Sequence, residues 1–324
     1  MAYTPWALYD LLLDSLPQDG QIDELTLGLT WTLARVNGSM GLAMSPETPC
    51  RTLSWAGSLK GRTAKDVAAW VRSWQPHEAT VGMACLNALL NSDNPLLASA
   101  TPLHANGPAN LTVFEHFREQ LKGKRVVVIG RYPGLDVLQS DVELTVIERK
   151  PEGGDLPDQA AEYVMAGADW VFLTATSITN KTFPRLAELA RGAKLVLMGP
   201  TTPWLPELRE YGVDYLAGVR LRDPAALQQT VGEGGGTRIF DKGVQYALVD
   251  LHQDEAARLK SAIAAVFARR ATLKAEMEAW YAQGKLRFPH NDELLRIDAQ
   301  LAYLDTRYKQ VWDAQQAAEQ AVRA

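Results

Sequence analysis

The sequence predicts an α/β protein: a Rossmann-like, doubly wound parallel sheet in the middle third, a small α+β unit before it and a helical hairpin after it. Three observations predict this. Between residues 121 and 250, short apolar runs alternate with helical stretches, the pattern of strands buried on both faces. Before them, a β-rich run meets the dipeptide Asn37-Gly38, a strong hairpin signal. After them, apolar residues recur at alternating spacings of three and four, a heptad seam. The units are 1–120, 121–250 and 251–324.

In the first unit, residues 1–17 read as an amphipathic helix, with Leu8, Leu11, Leu12 and Leu16 at helical spacing. Residues 24–36 read as one alternating strand, turned at Asn37-Gly38 into a second strand at 41–44. Thr63 stands as N-cap of a helix over 64–74, which Pro76 ends; a second helix follows over about 78–90. Residues 91–110, rich in Asn, Ser and Pro, read as a loop.

In the middle unit, strands fall at 124–129, 144–147, 170–173, 194–198 and 213–219, with helices notably over 158–165 and 183–191. Right-handed crossovers between parallel strands make such a sheet doubly wound. In the last unit, Leu294, Ile297, Leu301, Leu304, Tyr308 and Val311 form one stripe. Leu259, Ile263, Val266, Leu273, Met277 and Trp280 form the other, interrupted by Arg270. Gly284 and Pro289 separate the two helices, and Asn291 is placed to cap the second. This coiled-coil-like hairpin predicts a homo-oligomer or a protein partner engaged through residues 253–324.

Composition narrows the function. The chain is 47% hydrophobic and 22% charged, an ordinary globular balance. A net charge of −5 gives no global basic field, so neither nucleic acid nor a membrane surface is an expected partner. No apolar run reaches the length of a membrane span, and no basic region precedes the first apolar stretch. With two cysteines, Cys50 and Cys85, a reducing, cytoplasmic setting is expected. Cys85 falls on the apolar face of its helix and Cys50 in a Pro-flanked loop. No closely spaced His or Cys pair signals a zinc site, although Glu47, Glu148 and Asp155 offer oxygens to harder ions.

Open parallel sheets bind ligands beyond the carboxyl ends of their strands, near the reversal of strand order. Four such ends carry chemistry here: Gly130-Arg131 after the first strand, Glu148 after the second, the hydroxyl-rich run from Thr174 to Thr182 after the third, and Gly199-Pro200-Thr201 after the fourth. Glu148 lies where a carboxylate bonds a ribose diol in dinucleotide folds. Lys181 and Arg131 add positive charge, and the glycines permit close backbone approach. The bland reading of Thr176, Thr179 and Thr182 is capping and turn chemistry. The first turn has Arg, Tyr and Pro where a dinucleotide fingerprint needs glycine, so NAD is not an expected cofactor.

At these motifs a resemblance enters. The runs VVVIGRYPGLD, ERKPEGGDLPDQAAEYVMAGADWVFLTATSITNKTFPRLAELA and KLVLMGPTTPWLPEL resemble the heavy-metal chelation domain family. TLGLTWTLARVNGSMGLAMS and GMACLNALLN resemble its partner amino-terminal domain, which is similar to the capping domain of enolases. The resemblance spans roughly residues 10–245. It implies a ligand cleft between an enolase-cap-like unit and the Rossmann-like unit, and a transition metal or metal chelate as cargo. Residues at matching positions are Asn87, Glu148, Asp155, Pro157, Thr174, Thr176, Asn180, Lys181, Thr182, Gly199, Pro200 and Thr201. Three functions stay open: a metal or metal-chelate binding protein in trafficking or metallocofactor assembly, an enzyme on an anionic or nucleoside-like molecule, and a scaffold using the carboxyl-terminal helices.

Overall fold

A computed structural model describes residues 5–17 and 19–323, with side chains as far as residue 317. Residues 1–4 of the predicted first helix lie outside the described residues. The chain divides into two compact units, one of residues 1–92 and 102–251 and the other of residues 93–101 and 252–324.

The larger unit begins with helix α1 (Ala7–Asp14), whose Leu8, Tyr9 and Leu12 are buried. Strands β1 (Ile22–Leu27), β2 (Trp31–Val36) and β3 (Ser39–Met44) form an antiparallel meander. The stretch read as one strand over 24–36 is therefore two, because the chain reverses at residues 28–30, where Gly28 N–H donates to Trp31 O. At the second turn Asn37 and Gly38 both have positive φ, as a two-residue hairpin requires. Helices α2 (Ala64–Ala68) and α3 (Pro76–Asn91) follow. Thr63 does stand at the N-cap, but its side chain makes no capping bond. The chain leaves α2 through a 3₁₀ turn at Ala69–Arg72. Every residue from Ala79 to Leu90 is buried, Cys85 included, and burial pushes the Cys85 thiol up to about 12.

Helix α4 (Pro95–Ser99), in the smaller unit, interrupts what reads in sequence as a plain loop. Asn94 Oδ1 accepts from the Leu96 and Leu97 amides, and Pro95 presets the first helical φ. A two-residue strand, β4 (Thr101–Pro102), precedes helix α5 (Thr112–Leu121). The strands β5 (Arg125–Ile129), β6 (Glu143–Ile147), β7 (Trp170–Thr174), β8 (Lys194–Met198), β9 (Tyr215–Leu221) and β10 (Val244–Asp250) then build the main sheet, in the order β4-β10-β9-β8-β7-β5-β6. The pairings from β6 through β9 are parallel; β10, which the reading by apolar runs did not separate, pairs antiparallel with β9.

Val126, Val128, Trp170, Phe172, Val196, Met198 and Ala217 pack with Phe114 and Phe117 of α5 on one face of the sheet. The alternate residues Val127, Val171, Leu173, Leu195, Leu197 and Leu216 are buried as well, so both faces are covered. The chain runs from β5 to β6 on one side and then to β7 on the other, placing the reversal of strand order between β5 and β7. Short helices α6 (Ala161–Val164), α7 (Thr176–Thr179), α8 (Phe183–Leu189), α9 (Pro224–Gly232) and α10 (Ile239–Lys242) complete this unit.

The smaller unit holds α11 (Glu255–Ala282) and α12 (Asn291–Arg323). Ion pairs Glu255–Arg307, Arg270–Asp298 and Arg269–Glu293 link them in antiparallel register. Leu273, Phe288, Leu294 and Ile297 form their core. Arg270, which breaks the apolar stripe, is held by Asp298 of the facing helix. Asn291 is the first helical residue rather than the cap before it. No helix among the described residues is long and apolar enough to cross a membrane.

Gly41 fixes the spacing of α3 on the meander. A Cβ there would stand 2.1 Å from the Ala88 nitrogen and 2.2 Å from the Ala84 oxygen, both backbone atoms of α3. Gly41→Ala is therefore expected to cost on the order of 3 kcal/mol by overpacking. The loss would be read as a lower urea midpoint at unchanged slope. A variant as stable as the parent would mean that α3 does not lie this close.

Candidate functional site

A cleft of about 900 Å³ lies over the carboxyl ends of β5 to β8, within the larger unit. Its lining from the amino-terminal meander includes Trp31, Met44 and Ser45, with Trp74 and Thr80 from the helical segment behind it. The sheet side supplies Gly130, Arg131, Tyr132, Glu148, Thr174, Thr176, Asn180, Lys181, Thr182, Gly199, Pro200 and Thr201. Of the candidates named from the sequence, Arg131, Glu148, Thr174, Thr176, Asn180, Lys181, Thr182, Gly199, Pro200 and Thr201 thus line one cavity; Asn87, Asp155 and Pro157 do not.

The backbone explains the position of the cleft. Gly130 closes β5 with φ +97°, and a Cβ on it would stand 3.2 Å from Thr174 Cγ2, so the crevice between β5 and β7 leaves no room for a side chain there. Asn87 lies behind the wall. Its Nδ2 donates to Leu42 O at 2.8 Å and to Thr201 O at 2.9 Å, tying β3 to the loop after β8. A second tie runs parallel to it, from Met44 N–H to Thr201 Oγ1 at 2.9 Å.

The charged candidates are largely engaged. Glu148 accepts the amides of Arg131 at 2.9 Å and Lys150 at 3.2 Å, which shapes the turns after β5 and β6. Asp155 pairs with Arg131 at 2.5 Å and accepts the Glu152 amide. Glu47 is ion-paired with Lys150. Cys50 is exposed and bonded to Thr52 O; neither cysteine lines the cleft.

The hydroxyl run is partly turn chemistry, as its bland reading has it. Ser177 Oγ donates to Thr174 O, Thr179 Oγ1 to Thr176 O, and Thr182 Oγ1 to Asn180 Oδ1. Thr174 and Thr176 share one hydroxyl contact at 3.1 Å. Asn180 Oδ1 also accepts the Thr182 amide, so its Nδ2 is left as a donor at the cleft.

Lys181 differs from its neighbours. Its φ is +69°, a left-handed conformation rare for a side-chain-bearing residue and one that clusters at functional sites. Its Nζ donates to Thr179 O at 2.8 Å and sits 5.8 Å from the centre of the Tyr9 ring. No carboxylate pairs with it among the described residues. Burial pulls its amine down to about 8. Tyr9 donates its hydroxyl to Ile178 O, and burial raises its pKa.

The sequence reading missed Tyr132 as a site residue. Its presence at a position where a dinucleotide site needs glycine counted only against NAD. It stacks edge-on against Phe114, and its buried hydroxyl is bonded to Thr174. Trp74, the last residue of the helix expected over 64–74, lies beyond α2 and its 3₁₀ turn; it is 73% exposed at the cleft and meets Trp6 edge-on at 5.8 Å.

Fold and cleft together define a class: an open parallel sheet with a crevice at its strand-order reversal, faced by an antiparallel meander. Within that class, the chain belongs to the family described as "Putative heavy-metal chelation". One profile of that description matches residues 112–250 and a second matches residues 9–90. The crystal structure of a protein of unknown function from the DUF364 family of Desulfitobacterium hafniense DCB-2 superimposes with a TM-score of 0.64 at 30% identity, over 76% of this chain and 98% of that one. A DUF364-family protein of unknown function from Pyrococcus horikoshii gives 0.62 at 19% identity, over 76% and 99%, a likeness of fold. An uncharacterized protein of Methanocaldococcus jannaschii is 30% identical over 108 residues, and the chain spans 42% of that relative's length.

Two expectations test this geometry. Asn87→Ala leaves two buried carbonyls without their donor and should cost about 2–3 kcal/mol. Asn87→Asp should cost more at neutral pH, because acceptors then face acceptors, and less as acid protonates the new carboxyl; urea titrations across pH compare them. For Lys181, the folded amine titrates near 8 and the unfolded one near 10.5, so between them the unfolded chain binds more protons. Stability relative to Lys181→Met should be flat below that window and rise with pH through it, which thermal melts at neutral and alkaline pH would show.

Proposed function

We propose that this chain is a binding protein for a metal-bearing small molecule, held as an organic chelate in the cleft over β5–β8, in metal trafficking or metallocofactor assembly. The observation that carries the reading is the chemistry of the cleft itself. It is roomy, apolar and aromatic on much of its wall, and polar through hydroxyls, amides and four cationic side chains, of which Arg131, Arg149 and Lys150 are paired with carboxylates and, among the described residues, Lys181 is not. Such a lining suits an anionic organic molecule with a few oriented polar groups.

A bare heavy-metal ion does not fit the described residues. Among them no group of three or more His, Cys, Asp or Glu side chains stands together as a metal centre needs, and of the carboxylates that line the cleft Glu148 accepts two backbone amides while Glu47 and Asp158 are ion-paired with Lys150 and Arg149. The same engagement of Glu148 weakens a nucleoside reading, in which its oxygens would take a ribose diol.

The meander with α2 and α3 serves in this proposal as an enolase-cap-like wall of the site. The helical pair α11–α12 serves as a contact surface for a second copy or a partner, and the setting is cytoplasmic. Deleting residues 253–324 should then change the assembly size seen by native mass spectrometry.

The direct test is elemental analysis with native mass spectrometry on protein purified anaerobically from its own cells. A stoichiometric metal accompanied by an organic mass is the expected result. An organic ligand with no metal would favour an enzyme of anionic small molecules instead.

A further inference from the structure

We propose that Lys181 is a covalent capture residue, whose amine condenses reversibly with the carbonyl of a 2-oxo acid group in the cleft to form an imine. This rests on reading the cleft as a site for an anionic organic molecule, and adds a bond that neither that reading nor the family description contains.

Three features of place support it. The side chain lines the cleft from a left-handed backbone position, which aims it differently from the helix residues on either side. Its amine donates to a neutral acceptor, Thr179 O, with no carboxylate among the described residues to hold a proton on it. A lysine meant only to bind an anion gains from full charge, whereas a nucleophile needs its lone pair. The amine pulled down to about 8 agrees with that geometry. Beside it, Asn180 lines the same cavity, and its Nδ2 is a neutral donor suited to a carboxylate.

The step balances without a redox partner. The neutral Nζ adds to the carbonyl carbon, a C–N bond forms, and the amine proton passes to the former carbonyl oxygen. The C–O bond then breaks, the oxygen leaves as water, and C=N remains. Hydrolysis returns the free lysine, so the attachment is reversible.

The experiment treats the intact protein with glyoxylate or pyruvate at pH 7.5 under cyanoborohydride, which reduces any imine to a stable secondary amine, and maps the sites by peptide mass spectrometry. Lys181 should be modified roughly tenfold or more faster than the exposed Lys60 and Lys124, since the cleft holds the 2-oxo acid against its amine and nothing holds it against theirs. The comparison is made within one wild-type sample, so it does not depend on a variant folding. In Lys181→Arg the fast site should vanish while Lys60 and Lys124 label as before. Modification of Lys181 no faster than those two, or none at all, overturns the proposal. Metal and chelate content measured on the same wild-type protein keeps the outcomes apart: cargo present while Lys181 labels no faster than Lys60 and Lys124 defeats the covalent role alone, and fast labelling of Lys181 in protein that carries no cargo defeats the binding reading alone.

Discussion

The carboxamide of Asn87 is the constraint on which the site depends. One Nδ2 group bridges a carbonyl of β3 and a carbonyl of the loop after β8, so the two walls of the cleft are held together through one planar group, with the Met44 amide on Thr201 Oγ1 beside it. Both carbonyls are buried, and a buried acceptor left unpaired is costly, so the latch carries an energetic penalty for opening rather than a mere preference. Gly41 makes the latch possible by letting α3, which carries Asn87, approach the meander at backbone contact. Thr201 receives both this tie and the Met44 amide, and it is itself a wall residue. Packing and site geometry therefore share the same few atoms.

Much of this was legible in the residues. The strands of the central sheet announce themselves as apolar runs because each is buried on two faces, and the polar residues that end them fall where the strand-order reversal opens a crevice. Local alternation was less informative. It runs unbroken through Glu24–Val36, although Gly28 turns the chain there, and it did not set β10 apart as a strand antiparallel to β9. The short helix α4 hid inside a polar stretch because its stability comes from one capping side chain and a proline.

The site was legible as a list of places and less so as chemistry. Glu148 lines the cleft and Asp155 does not, and the charges of both are used in holding turns, a partnership that only the folded chain reveals. Asn87, assigned by resemblance, acts on the wall from behind. The special character of Lys181 comes from burial and from a backbone angle, neither of which is written in a local motif. Tyr132 shows the converse: a residue counted as a departure from one motif is a wall residue of the cleft that is present.

The latch also has a consequence for how the protein is made. Asn87 and Thr201 are 114 positions apart, and Lys181 lies between them. A nascent chain emerging from the ribosome carries the meander and α3 long before the acceptor that completes the cleft exists. Until residue 201 has been synthesised, the Asn87 carboxamide, buried on α3 in the finished fold, has only its local partner. The wall of the cleft is therefore completed only late in synthesis, and products truncated before residue 201 keep the meander and α3 without the loop that Asn87 ties to them.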